Sequence, residues 1–155
     1  MISKHRKSYT AKQGLNTELK FHKLMVDRGN SCIKSSTRDD MYNHIDFYVN
    51  TFGIDVKGNR HLETIWLEIK NVHGYNGWLL GKADYIVFDI KELKSFCFFE
   101  RVLLYDFVRD IKQKAKNKTE YMKLYTRKNR KDVLVKVTYD DIKHLQYQKI
   151  SYEYS

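Results

Sequence analysis

Two short segments of the sequence share one pattern, which is an acidic residue, an apolar residue and a lysine. Asp55-Val56-Lys57 and Glu68-Ile69-Lys70 both fit it. On a β-strand, side chains two positions apart point to the same face, so the acid and the lysine of each segment would be neighbours. A carboxylate beside an ammonium group suits phosphodiester cleavage, in which the carboxylate binds a metal ion and the cation neutralises developing charge. The pattern therefore offers two candidate sites for the same chemistry.

A further acidic residue upstream favours the first of these segments. Residues 44–49 alternate like a strand, and residues 50–53 have the composition of a hairpin loop. If residues 50–53 form that loop, Asp46 lies opposite Lys57 and diagonal to Asp55 on one face. Two neighbouring carboxylates repel each other unless a cation lies between them. The sequence therefore predicts that Asp46 and Asp55 bind Mg²⁺ or Mn²⁺ beside a catalytic Lys57. The apolar side chains of this hairpin are expected together on the opposite face: Ile45, Phe47, Ile54 and Val56.

The net charge of +10 is unevenly distributed along the chain. Residues 109–131 contain ten Lys or Arg and two acidic residues, which gives this stretch a net charge of +8. A concentrated basic stretch is typical of proteins that bind polyanions, and it is also compatible with a solvated surface. We therefore expect a DNA-contacting segment at about residues 109–136. Its expected phosphate ligands are Arg127, Lys128, Arg130 and Lys131.

Length and composition predict one domain over residues 1–155, because a chain of 155 residues is long enough for a substantial core and short for two. An apolar fraction of 42% argues against disorder. No segment has the length of a membrane span, and the N-terminus lacks the apolar run of a secretory signal. Cys32 and Cys97 fit no disulfide framework or zinc pattern. These features predict a cytoplasmic protein with no membrane partner.

Local patterns favour an α/β fold with a mixed central β-sheet flanked by helices. Residues 10–28 carry apolar side chains at helical spacing, and Gly29 supplies a stop. Glu18 lies at the border of that stripe, from which a carboxylate can reach a sheet beneath the helix. The stripe expected to face the core consists of Leu15, Leu19, His22 and Val26.

Together these residues resemble a known group of enzymes. A helical Glu18, Asp46 and, nine positions after Asp46, Asp55-Val56-Lys57 are similar to the pattern of the PD-(D/E)XK nuclease superfamily, which includes restriction endonucleases and Holliday-junction resolvases. No proline precedes Asp46, which departs from the nominal pattern. Further segments resemble small nucleases of phages and large DNA viruses: Trp66-Leu67-Glu68, Asn71-Val72-His73-Gly74, Gly77-Trp78-Leu79 and Gly81-Lys82-Ala83-Asp84.

The resemblance implies a restriction-endonuclease-like fold and a metal-dependent endonuclease that hydrolyses DNA, including branched DNA. It implies that Asp46 and Asp55 hold the metal, that Lys57 is catalytic and that Glu18 assists from its helix. Branched DNA would need a homodimer with two sites on opposite strands. For a phage or viral protein the expected location is the cytoplasm of the host.

Two alternatives remain open at this point. In the first, Asp55 is the isolated acid and Glu68-Ile69-Lys70 is the triplet, because thirteen positions separate Asp55 from Glu68, a normal spacing for the superfamily. In the second, the chain is a DNA-binding or inhibitory protein that keeps the nuclease fold without turnover.

Overall fold

The computed structural model describes the backbone of residues 4–152 and the side chains of residues 14–152, so the ends of the predicted domain 1–155 lie outside the described residues. The helices are α1 (Lys4–Asp27), α2 (Arg101–Arg109) and α3 (Tyr139–Ile142). The strands are β1 (Cys32–Lys34), β2 (Phe47–Val49), β3 (Phe52–Arg60), β4 (Ile65–Lys70), β5 (Tyr85–Ile90), β6 (Ser95–Glu100), β7 (Leu124–Tyr125), β8 (Val133–Val137) and β9 (Gln146–Ser151).

The strands form two sheets. The central sheet has six strands in the order β1-β2-β3-β5-β6-β9, and the second sheet has three in the order β4-β8-β7. Within the central sheet β3 and β5 are parallel, whereas the other neighbouring pairs are antiparallel. The predicted α/β class with a mixed central sheet is therefore confirmed.

Two hydrophobic cores hold the layers together, one on each face of the central sheet. On the first face Phe21 of α1 packs against the rings of Phe47, Phe96 and Phe98, with centroids 5.3–6.1 Å apart. On the opposite face the second sheet and α2 cover β5 and β6. Burial of these apolar surfaces is the main force that joins the layers. Among the described residues, no helix is both long and apolar enough to cross a membrane.

Helix α1 ends where predicted but turns a different face to the core. Gly29 adopts φ +84°, and the amides of Gly29 and Asn30 donate to the carbonyls of Val26 and Met25, which is a Schellman C-cap. The predicted core stripe is wrong, because Leu15, Leu19 and Val26 are exposed and His22 is half-buried. The buried face consists of Thr17, Phe21, Leu24 and Met25.

The β2–β3 hairpin is tighter than the four-residue loop predicted from the sequence. Phe47 pairs with Ile54, which leaves only Asn50 and Thr51 in the turn. Both turn residues have positive φ angles (49° and 78°), as in a type I′ turn, whose twist matches that of the flanking strands. The register is therefore shifted by two residues, and the predicted Asp46–Lys57 opposition is wrong.

The start of the predicted strand 44–49 also differs. Strand β2 begins only at Phe47, and Ile45 lies in the core on the opposite face of the sheet from Phe47. His44 has a left-handed backbone conformation (φ 55°), which turns the chain just before the strand. The alternation of residues 44–49 therefore predicted a longer strand than the chain forms.

Candidate active site

Asp55 and Lys57 lie on the face of β3 that looks toward the second sheet. The Lys57 Nζ atom is 3.1 Å from Asp55 Oδ1. Asp55 is only 2% exposed, and its second oxygen, Oδ2, is buried without a hydrogen-bond partner. The ammonium group of Lys57 also lies 5.0 Å from the centre of the Trp78 ring. The lysine is thus fixed by a carboxylate and an aromatic ring, while one carboxylate oxygen remains unused.

Asp46 joins this pair from the start of β2. Its backbone amide donates to the Ile54 carbonyl (2.8 Å), and its Oδ2 accepts from the Val56 amide (2.7 Å). Continuing the β2–β3 register by one residue places Asp46 opposite Asp55. The structure therefore brings together Asp46, Asp55 and Lys57, although by a different register from the predicted one.

The two carboxyl groups are held in a low-dielectric environment. Burial is the main reason that the pKa of Asp46 rises to about 7, and the neighbouring Asp55 raises it further, while the bond from Val56 opposes the shift. Burial also raises the pKa of Asp55, and the adjacent Lys57 opposes that rise. Lys57 and Arg60 both act on the charge of Asp55, yet the pKa of each carboxyl group stays raised. This environment therefore favours either a shared proton or an added cation.

The donor set fits a hard divalent cation. Within the described residues no three His, Cys, Asp or Glu side chains form a ready-made metal-binding group. Mg²⁺ does not need such a cage, because it commonly binds one or two carboxylates and completes its shell with water and substrate phosphate. The partnerless Oδ2 of Asp55 beside the carboxylate of Asp46 provides that minimal set.

Helix α1 brings Glu18 to the same cluster. Burial raises the pKa of Glu18, and the neighbouring Asp46 carboxyl raises it further through charge and a hydrogen bond. Glu18 is half-buried although Leu15 and Leu19 beside it are exposed, because the buried face of the helix contains the adjacent Thr17. The placement of Glu18 therefore agrees with its expected position near the acidic pair.

Two residues of the cluster that precede Asp46 in the chain were not predicted from the sequence. Asp40 lies in a short π-helical turn (Asp39–Asn43), and its carboxyl group raises the pKa of Asp46. The Nζ atom of Lys34, on β1, lies 3.4 Å from Asp40 Oδ2 and donates a hydrogen bond to the backbone carbonyl of Asp46 (3.1 Å). Their segment, residues 34–40, has no helical or strand periodicity that could have pointed to the site.

The second triplet is divided between two environments. The half-buried Glu68 lies near Arg60 and His44, whose pKa values both respond to its charge. Lys70 is exposed at the end of β4, where its backbone pairs with Val133 at a register shift. In strand β4, Ile65 and Leu67 are buried and Glu68 is half-buried, and only the glutamate of this triplet approaches the candidate site.

The basic segment contains little regular structure, and its four expected phosphate ligands have different surroundings. Arg127 forms an ion pair with Asp132, which is 1% exposed. Lys128, Arg130 and Lys131 are exposed. Arg127 therefore has a structural partner, whereas the other three present their charges to solvent.

Comparisons with known proteins give no independent assignment. No family model matches the chain, and neither the curated proteins nor the solved structures include a match to it.

Proposed function

We propose that this protein is a metal-dependent DNA endonuclease that hydrolyses phosphodiester bonds at Asp46, Asp55 and Lys57. The observation that carries the proposal is the pairing of two buried carboxylates, one with a partnerless oxygen, beside a fixed lysine. The sequence resemblance to PD-(D/E)XK nucleases supports the same reaction and the same three residues.

Each side chain has a distinct task in this proposal. Asp46 and Asp55 would hold Mg²⁺ or Mn²⁺. The bound ion would polarise the phosphate and lower the pKa of an attacking water. Lys57 is held by Asp55 at a fixed position, from which its ammonium group orients that water or neutralises the charge that develops on the phosphate. Glu18 would assist from α1 by contact with Asp46.

DNA is the proposed substrate because of charge. The chain carries a net +10, and much of the excess lies in the largely exposed basic segment. Phosphate neutralisation by such residues provides affinity that does not depend on base sequence. The resemblance to Holliday-junction resolvases adds branched DNA to the candidate substrates, together with a homodimer that cuts two strands.

The proposal is tested by incubating the purified protein with linear, nicked, single-stranded and four-way-junction DNA. We expect cleavage of at least one of these substrates with Mg²⁺ or Mn²⁺, and complete loss of cleavage with EDTA while DNA binding persists. Asp55→Asn is the matched inactive variant, because the amide keeps the shape of the side chain but loses its charge. Cleavage that resists chelation would contradict the proposal. Binding with no cleavage under any metal would identify a DNA-binding or inhibitory protein on a nuclease fold.

A further inference from the structure

A groove lies beside the candidate active site, between α1 and the end of β3. Its volume is about 530 Å³. No carboxylate is found among its lining residues in the described part of the chain, whereas three of them are cationic. The groove is lined by Gly14, Asn16, Thr17, Lys20, Gly58, Asn59, Arg60 and Lys91.

The groove approaches the candidate site through Arg60, which lines the groove and whose pKa responds to the charge of Asp55. Gly58 follows Lys57 on β3 and therefore faces the other side of the sheet, toward Thr17 of α1. The walls meet closely here, because a Cβ atom on Gly58 would lie 2.5 Å from Thr17 Oγ1. The groove therefore lies on the α1 side of the central sheet, at the edge of the candidate site.

Two of the cationic side chains are fixed by one buried acid. Lys20 Nζ and Lys91 Nζ lie 2.9 and 3.0 Å from the same oxygen, Oδ2 of Asp89. Asp89 is fully buried, while the side chains of Lys20 and Lys91 remain 35% and 39% exposed. The other Asp89 oxygen accepts from the Tyr152 hydroxyl (2.8 Å), and Lys20 lies 3.8 Å from the centre of that ring.

This arrangement contains more positive charge than Asp89 requires. One lysine neutralises a carboxylate, and Tyr152 already satisfies the second oxygen. The remaining ammonium charge is therefore available to an anion in the groove. Both lysines bond to one immobile oxygen, so they are already held close together. They therefore lose less side-chain conformational entropy when an anion binds.

We propose that this groove binds a backbone phosphate of the DNA through Lys20 and Lys91. Asp89 is the residue that positions the two lysines. The inference rests on the proposed function in that it takes DNA to be the ligand. It adds a phosphate site outside the basic segment of residues 109–136.

The test is DNA affinity measured over a range of salt concentrations, with an uncleaved duplex as the probe and EDTA present. Lys91→Ala and Lys20→Ala are the groove variants. Lys23→Ala is the matched control, because Lys23 lies on the same helix and also pairs with an aspartate, Asp27, at 2.8 Å, but does not line the groove. Lys91→Arg is a second control, because it keeps the positive charge at this position of the groove.

We expect each groove variant to weaken binding and to reduce the log–log salt slope by about 0.9, the value for one phosphate contact on duplex DNA. Lys23→Ala and Lys91→Arg are expected to keep the wild-type slope. Lys91→Ala alone decides the matter if Lys20→Ala does not fold. A wild-type slope in Lys91→Ala, or an equal reduction in Lys23→Ala, would overturn the proposal.

The same measurement separates this inference from the nuclease proposal, because it involves neither metal nor cleavage. A groove variant that binds like the control leaves the nuclease proposal intact. A protein that binds through the groove but never cleaves DNA contradicts only the nuclease proposal.

Discussion

At the scale of single residues, the burial of Asp46 makes the stability of the fold depend on pH. The pKa of an aspartate in an unfolded chain is about 3.9, whereas that of Asp46 in the fold is about 7. Between these two values the folded state keeps a proton that the unfolded state has lost. The contribution of Asp46 to stability therefore decreases as pH rises through this window. A cation that binds the charged form reverses the effect, because it stabilises only the folded state.

Asp46→Asn should therefore raise the melting temperature of the metal-free protein at pH 8. The amide oxygen can still accept the bond from the Val56 amide, while the charge is removed. Each kcal/mol gained corresponds to roughly 2–4 °C for a chain of this size. Mg²⁺ should raise the melting temperature of the wild type and have little effect on this variant. Thermal denaturation at pH 5 and pH 8 measures both effects.

The control for this experiment is Asp106→Asn, because Asp106 is exposed and pairs only with Arg109 on its own helix among the described ion pairs. It should keep the wild-type response to Mg²⁺. A destabilised Asp46→Asn protein at pH 8, or one that responds fully to Mg²⁺, would show that the buried charge does not serve a metal.

Substitutions of two arginines in the basic segment should affect different properties, one the stability of the fold and the other the affinity for DNA. Arg127→Ala leaves the buried Asp132 without its ion pair and should lower the free energy of unfolding by about 1–3 kcal/mol. Arg130→Ala should leave stability nearly unchanged but weaken DNA binding, because Arg130 is exposed. Urea denaturation and DNA titration of both variants give the comparison. Equal stability of the two variants would show that the Arg127–Asp132 pair contributes nothing to the fold.

At the scale of elements, the contact between α1 and β3 fixes the distance between Glu18 and Lys57. Gly58→Ala would force the new Cβ atom against Thr17 and push the two elements apart. We expect a loss of about 1–3 kcal/mol in stability, together with reduced cleavage by the protein that remains folded. Denaturation and cleavage assays at equal folded concentration measure the two effects.

The matched glycine for this test is Gly14, on the same helix. A Cβ atom there meets no atom within 4 Å, so Gly14→Ala should stabilise the helix by up to about 1 kcal/mol. If Gly58→Ala folds and cleaves as well as Gly14→Ala does, the close contact does not set the geometry of the site.

Sequence patterns identified these elements more reliably than their faces and registers. Two adjacent faces of α1 are both apolar at helical spacing, so periodicity alone does not select between them. Helix α1 buries the face that carries Phe21, because the Phe21 ring packs among three other phenylalanine rings of the central sheet. The hairpin register depends on the turn, where Thr51 adopts a positive φ angle that a β-branched residue rarely takes. The order of residues from Asp46 to Lys57 was enough to predict that these side chains cluster, because a shift of two residues keeps paired strand residues on their faces. Ile45 precedes β2 and does not follow this pattern.

At the scale of the whole molecule, the two candidate triplets belong to different sheets. Lys57 lies in the central sheet, where Asp55 and Trp78 fix its ammonium group. Lys70 lies in the second sheet and is exposed. Two sheets joined by a hydrophobic core keep these positions apart, and sequence spacing alone did not reveal that separation. Only the first lysine shares a cluster with both aspartates.

The most direct test of the account compares these two lysines. Metal-dependent cleavage is measured for Lys57→Ala and Lys70→Ala at equal DNA occupancy, so that differences in binding do not contribute. We expect Lys57→Ala to lose roughly 100-fold or more in cleavage rate, while Lys70→Ala keeps most of it because that lysine is exposed. An inactive Lys70→Ala protein together with an active Lys57→Ala protein would contradict the assignment and place the site at Glu68 and Lys70.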